Sequence, residues 1–256
     1  MENKIKLIVT DVDGCLTPEQ AEPYEMEKLM KIRDFNLLAQ HENSPVPPIT
    51  LCTGRPQPYT EAFLKMLHVL HPAICDNGGL IFQLEGDRYF YEEKFDKEWE
   101  EHVHRLKSGI RTKIFPRMSV EFQPGKETNV SLIARDEKIV DDLLNLIRQE
   151  LANELKYFHL SATENHVNLV PHIFDKGTAF KRFVKIIGID PRQMAGIGDS
   201  AADLAFMQQL GYPMCPQNAS DDVKSKSVFV SQNSYVDGLI EIIGRCIAIN
   251  RGEVAI

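Results

Sequence analysis

The sequence predicts an α/β fold: a doubly wound parallel sheet interrupted by an inserted α+β domain. Three observations support this. Short apolar runs alternate with helix-like segments at both ends of the chain. Several of those runs stop at polar, glycine-containing junctions: Asp11-Val12-Asp13-Gly14, Thr53-Gly54-Arg55, Asp76-Asn77-Gly78 and Gly198-Asp199-Ser200. The middle has another rhythm, in which strand-like runs are joined by tight turns, as in antiparallel pairing. With 256 residues there is room for two domains. The expected division is a core of 1–80 and 172–256, split by an insertion of 81–171.

Each element has its own reason. Ile5 to Thr10 is a short apolar run carrying Ile and Val, which suits a strand buried on both faces. Residues 24–40 carry Met26, Leu29, Met30, Phe35, Leu37 and Leu38 at helical spacing, and Ser44-Pro45-Val46-Pro47-Pro48 ends that segment. A strand over 49–52, a helix over 59–70 and a third strand over 73–75 complete the first alternation. Residues 80–91 alternate around Glu85-Gly86-Asp87, predicting a hairpin. A helix over 95–106 holds the only tryptophan, Trp99. Strands are expected over 113–123 and 128–134, joined by Pro124-Gly125-Lys126, then a helix over 138–151 and strands over 156–160 and 166–170. The opening pattern then resumes. A helix spans 176–187, a strand 194–197, a helix follows, then strands at 213–215 and 227–230 and a last helix over 235–249. Such a core is Rossmann-like.

Composition narrows the function classes. A hydrophobic share of 43% and a charged share of 26% are ordinary for a globular protein, so neither disorder nor a fibre is indicated. The net charge of −8 argues against a general nucleic-acid surface. It leaves an anionic small substrate open, because a bound cation inverts the local field. Five cysteines, with no CxxC pair, suit free thiols in a reducing compartment. No apolar run reaches the length of a membrane span. The expected protein is therefore soluble and cytoplasmic, without nucleic-acid or membrane partners, and with a homo-oligomer left open.

The polar junctions converge if the sheet is doubly wound, because ligands of such sheets bind beyond the carboxyl ends of the strands. Asp11, Asp13, Thr53, Asn77 and Asp199 then share one edge, and Lys176 opens the helix that re-enters the core. Three acids, a hydroxyl and a lysine suit a divalent cation and a phosphoryl group. Mg2+ is usually held by one or two carboxylates plus phosphate and water, and an aspartate can accept a phosphoryl group covalently.

These four segments in order, Asp11-Val12-Asp13-Gly14-Cys15-Leu16-Thr17, Thr53-Gly54-Arg55, Lys176-Gly177 and Gly198-Asp199-Ser200-Ala201-Ala202-Asp203, resemble the motifs of the haloacid dehalogenase superfamily of phosphohydrolases. The insertion is similar to the type-two, subclass B cap of its sugar-phosphatase-like branch, as are Asn77-Gly78-Gly79 and Asn168-Leu169-Val170-Pro171. The resemblance implies a Mg2+-dependent phosphatase of a small phosphorylated metabolite, a sugar phosphate or phosphorylated small acid, working through an aspartyl phosphate. Asp11 would be the nucleophile and Asp13 the acid and base. Thr53, Gly54, Arg55, Asn77 and Lys176 would bind phosphate or substrate. Mg2+ would be held by Asp11, the Asp13 carbonyl and Asp199, and Asp203 would support the metal waters or orient Lys176. The alternatives are a phosphomutase with the same nucleophile and a non-catalytic sensor on the same fold.

Three features depart from the pattern. Cys15 stands where the family usually has threonine, and Ala202 where this branch usually has asparagine. The Asp-Val-Asp-Gly-x-Leu-Thr form and the tail are reminiscent of capless 3-deoxy-octulosonate phosphate phosphatases, which lack the insertion. Arg55 has a second reading, as the partner of a neighbouring acid. In the insertion, Lys113, Arg117, Lys126, His166 and Asn168 are candidates to face a substrate, against the plainer reading of ordinary surface residues. Cys15, Cys52 and Cys75 fall near the strand ends. Oxidation there would put bulk beside Asp11, whereas the plainer reading is buried, inert thiols.

Overall fold

The first strand, β1 (Leu7–Thr10), is buried along its whole length and feeds two cores. Ile8 packs with Leu29, Ile32, Phe63, Leu239 and Ile242, while Leu7 and Val9 pack with Phe180, Phe183, Phe206 and Val223. Successive strand side chains point to opposite faces, so a strand buried at every position is covered on both. The computed structural model describes residues 4–18, 23–163 and 165–254. The chain forms two compact units, Met1–Phe90 with Asp175–Ile256, and Tyr91–Phe174.

After β1 come α1 (Met26–Ala39), β2 (Ile49–Leu51), α2 (Gln57–Met66), β3 (Ala73–Cys75), β4 (Leu80–Gln83) and β5 (Arg88–Tyr91). The second unit holds α3 (Lys97–Gly109), β6 (Val120–Phe122), β7 (Val130–Ala134), α4 (Val140–Glu150), β8 (Phe158–Thr163) and β9 (His166–Pro171). The chain then returns through α5 (Lys176–Ile187), β10 (Met194–Ile197), α6 (Ala201–Met207), β11 (Tyr212–Cys215), α7 (Asp221–Lys226), β12 (Phe229–Val230) and α8 (Tyr235–Arg251).

The core of the first unit is a five-stranded parallel sheet in the order β12-β11-β10-β1-β2. Leu7 pairs with Met194, and Ile8 with Ile49. This α/β architecture is the one expected, with one correction. The sequence reads 73–75 as a third strand of the parallel sheet. β3 does run parallel beside the end of β2, through the Cys52–Ile74 bridge and the N–H of Thr53 donating to the carbonyl of Ile74 at 2.9 Å, but it forms no ladder there. Its ladder is antiparallel, with β4, where Ile74 faces Ile81. The cause is the turn after Cys75: Asp76, Asn77 and Gly78 all take positive φ and reverse the chain at once. That pairing also keeps 81–90 with the first unit, whereas the sequence suggested an insertion beginning at 81.

In the second unit, four antiparallel strands run β6-β7-β9-β8. One face carries Val130, Leu132, Val167 and Leu169, covered by Val103 and Leu106 of α3 and Leu143 and Ile147 of α4. On the other face Ser131 lies opposite Asn168. The strand expected over 113–123 is only three residues long here. Helical structure runs on instead through Ile110–Ile114, where the N–H of Phe115 donates to the carbonyl of Ile110 at 3.0 Å. Ile110 and Ile114 recur at helical spacing and are both fully buried, so packing decides for helix. Near the end, α7 occupies a stretch in which the sequence reading placed no element. Among the described residues no helix is long and apolar enough to cross a membrane.

Candidate active site

Asp11 follows β1 directly, and its N–H donates to the carbonyl of Ile197 at the end of β10, so two neighbouring strands set its position. Its Oδ1 accepts the N–H of Val12 at 2.7 Å, and its Oδ2 accepts from Lys176 Nζ at 2.7 Å. Lys176 is the first residue of α5, whose start is capped by Asp175 Oδ1 accepting from the N–H of Thr178. The same ammonium donates to Asp203 Oδ1 at 2.5 Å. Asp203 Oδ2 accepts three more bonds, from the N–H of Asp199 and from the N–H and hydroxyl of Ser200. Asp11, Lys176 and Asp199 are each 7% exposed and Asp203 not at all. Charges this deep persist only when paired and hydrogen-bonded.

The electrostatics follow from that crowding. Burial, then the like charge of Asp203, pushes the Asp11 carboxyl well above the usual carboxylate range, against the pull of Lys176. Burial works against the Lys176 charge, yet Asp11 and Asp203 together hold it well above the ordinary lysine range. Asp203 goes the other way: burial opposes its charge, but Lys176 and the Ser200 donors outweigh it and keep it low.

Asp11, Asp199 and Asp203 offer carboxylate oxygens within 4.8 Å of one another. An all-oxygen donor set suits a hard cation. Three carboxylates against one ammonium leave a deficit of two positive charges, which a divalent cation fills. The space is kept open by Gly14, which takes φ +78°; a Cβ there would stand 2.3 Å from Asp199 Oδ2. The residues therefore fit a divalent metal ion. Both oxygens of Asp203, like both of Asp11, already accept bonds from protein donors.

The other predicted residues sit around this centre. The Asp13 side chain is turned to Arg55, which donates through Nε at 2.7 Å and through its amino group at 2.6 Å. Thr53 is fully buried, and its hydroxyl accepts the N–H of Arg55 at 3.1 Å. Asn77 lies close by: a Cβ on Gly54 would come 2.6 Å from its Oδ1. Cys15 is buried with its Sγ 3.7 Å from Asp199 Oδ1, and Ala202 is exposed on the first turn of α6. Within the second unit, Lys113 and Arg117 bind the carbonyl and carboxylate of Glu150, and Asn168 accepts from Ser131 at 2.5 Å. Lys126 is buried and His166 half-buried.

Sequence reasoning missed three contributors. Ser200 closes the Asp203 cage. Asn218, in the turn after β11, donates to the carbonyl of Gly14 at 2.8 Å and accepts from the N–H of Tyr235 at 2.9 Å, tying the Gly14 loop to the last helix. Its position just beyond a strand end was the available signal. Tyr59 lies under the Arg55 guanidinium, 4.9 Å from ring centroid to Cζ.

Comparison with known proteins bears on the family and the fold. The family model of the haloacid dehalogenase-like hydrolases matches residues 8–116 and 111–243. A phosphoglycolate phosphatase of Methanosarcina acetivorans is 25% identical over 94% of this chain and 96% of its own length. One from Thermoplasma volcanium is 27% identical over 93% and 96%. Among solved structures, Thermoplasma acidophilum protein 0175 superposes with a TM-score of 0.72 at 21% identity, covering 95% of this chain and 99% of that one. The sucrose-phosphatase of Synechocystis, solved with sucrose and phosphate, gives 0.62 at 15%, covering 95% and 98%. The structural likenesses speak for the fold, and the family match, which runs over most of the chain, speaks for its membership: the chain belongs to the haloacid dehalogenase-like hydrolases.

Proposed function

We propose that this hydrolase is a Mg2+-dependent phosphatase of a small phosphorylated metabolite, a sugar phosphate or a phosphorylated small acid, working through an aspartyl phosphate on Asp11. The observation that carries the reading is the buried array of Asp11, Lys176 and Asp203 with Asp199 beside it. Relatives named for phosphoglycolate, a phosphorylated two-carbon acid, support the substrate class.

Asp11, Asp199 and the backbone carbonyl of Asp13 would hold Mg2+. When bound, the ion supplies charge neutralisation, so that an anionic phosphoryl group can approach an anionic carboxylate. The remaining work falls to side chains. Asp11 Oδ2, aimed by Lys176, attacks phosphorus, and the bond from phosphorus to the substrate oxygen breaks as the aspartyl ester forms. Asp13 gives its proton to the departing oxygen. It then takes a proton from the water that attacks phosphorus, which restores the Asp11 carboxylate and frees phosphate. Thr53, Gly54, Asn77 and Lys176 would bind the phosphoryl oxygens, and Asp203 would keep Lys176 pointed at them.

The test is phosphate release from a panel of phosphorylated acids and sugars, with Mg2+ or with EDTA, by wild type and Asp11→Asn. Metal-dependent release that vanishes in Asp11→Asn is the expected result. Transfer of the phosphoryl group back to substrate would turn the reading to a mutase, and silence across the panel would overturn it.

A further inference from the structure

The bidentate pair between Arg55 and Asp13 is backed by a stack of aromatic rings that catalysis by itself does not require. Arg55 meets both oxygens of Asp13 with Nε and one amino group, the fork geometry that fixes a carboxylate in both direction and rotation. Its other side rests on the Tyr59 ring. Tyr59 packs against Phe63, 5.0 Å between centroids, and Phe63 is buried. The Tyr59 hydroxyl is 2.5 Å from that of Tyr24, whose ring meets the same Phe63 edge-on at 5.6 Å. Asp13 follows β1, Arg55 follows β2, and Tyr59 and Phe63 lie on α2. The stack therefore joins the acid to the rigid part of the first unit.

We infer that Arg55 is a positioning residue for Asp13 rather than a phosphate ligand, with Tyr59 as its backstop; this rests on the phosphatase reading. An arginine that recognises phosphate does so with the same fork, and here the Nε edge of the fork is already occupied by Asp13. Asp13 is about a quarter exposed, with a side-chain exposure of 27%. Without the clamp it is free to rotate toward water. Proton transfer needs the carboxyl oxygen within hydrogen-bond reach of the leaving oxygen, so lost orientation lowers turnover. Affinity for the phosphoryl group, which depends on other residues, stays.

The experiment compares wild type, Arg55→Lys, Arg55→Gln, Tyr59→Leu, Asp13→Asn and the double variant Asp13→Asn/Arg55→Gln on the best alkyl phosphate of the panel. Thermal melts are run on each, together with calorimetric titration by inorganic phosphate. In Arg55→Gln, kcat is expected to fall roughly a hundredfold, within the range general acid–base catalysis contributes, while KM and phosphate affinity move less than about twofold. Arg55→Lys, which keeps the charge and loses the fork, falls nearly as far, and Tyr59→Leu falls by less. Arg55→Gln costs almost nothing further once Asp13 is asparagine, because the two act as one unit. A rise in KM and loss of phosphate affinity in Arg55→Gln, or losses that multiply in the double variant, would overturn the positioning role. It also fails if Arg55→Lys retains full turnover. An inactive wild type is a different failure, which takes the phosphatase reading down and this inference with it.

Discussion

Lys176 and Asp11 stand 165 positions apart in the chain and 2.7 Å apart in space. The contact closes the gap between the first strand and the helix that returns after the second unit. Lys176 reaches it from the first position of α5, whose start is capped by Asp175, and the two carboxylates offset the side-chain freedom that burying a lysine costs. Asp203 holds the lysine from the other side, and every oxygen of Asp203 is engaged.

Asp203 is therefore a stability residue as much as a supporting one. In Asp203→Ala the Lys176 charge loses one partner, and the N–H groups of Asp199 and Ser200 lose their acceptor in a dry site. Breaking such a buried network costs about 3–5 kcal/mol. Chemical denaturation should show an unfolding free energy lower by that amount, read as a lower midpoint at unchanged slope. A variant as stable as wild type would mean that Lys176 and the released donors find other partners.

Gly14→Ala tests the space in front of Asp199. The left-handed backbone at φ +78° alone costs on the order of 1 kcal/mol, and the added carbon would stand 2.3 Å from Asp199 Oδ2. Asp199 must swing away, so both stability and affinity for Mn2+, followed by its electron paramagnetic resonance, should fall. Tight Mn2+ binding in a folded Gly14→Ala protein would remove Asp199 from the metal site.

All five thiols are buried. Burial, reinforced by Asp199 and Asp11, pushes the Cys15 thiol well above its usual range, and burial pushes Cys246 up to about 12. A thiol is reactive as the thiolate, so the native protein should resist peroxide and a colorimetric disulfide reagent, and all five should react only after unfolding. Loss of turnover under mild peroxide, restored by thiol reduction, would favour the opposite reading of Cys15, Cys52 and Cys75.

Glu241 provides a pH-dependent test away from the site. Its Oε2 accepts from the Ser231 hydroxyl at 2.5 Å, the Asn233 amide at 2.9 Å and the N–H of Gln232 at 3.0 Å. The Ser231 bond, with the other donors, holds its carboxyl below the usual value of 4.5. A depressed folded value means the stabilisation is fully present above 4.5 and fades as pH falls through the lowered folded value. Wild type should therefore exceed Glu241→Gln in melting temperature at neutral pH, and the gap should close in acid. A gap independent of pH would assign the difference to packing alone.

Local order in this protein is legible from the chain alone. The apolar run before Asp11 and the helical spacing in 176–187 name their elements, because strand and helix periods are set by neighbours in the chain. The polar junctions after those strands name candidates, because a parallel sheet puts all its carboxyl ends on one edge. Asp11, Lys176, Asp199 and Asp203 meet there in the structure. The sequence misleads where packing overrides a local signal. Residues 113–123 read as one strand, yet Ile114 is drawn with Ile110 into the helix-covered core. Residues 73–75 run parallel beside β2 as read, but the turn after them adds an antiparallel ladder with β4 that the local pattern did not announce. Side-chain partners, by contrast, emerge only when distant segments pack. Arg55 could have faced substrate or an acid, Asp203 could have been a surface residue, and Asn218 carried no motif. A long polar side chain has many rotamers of similar energy, and which one persists depends on groups that folding brings from far along the chain.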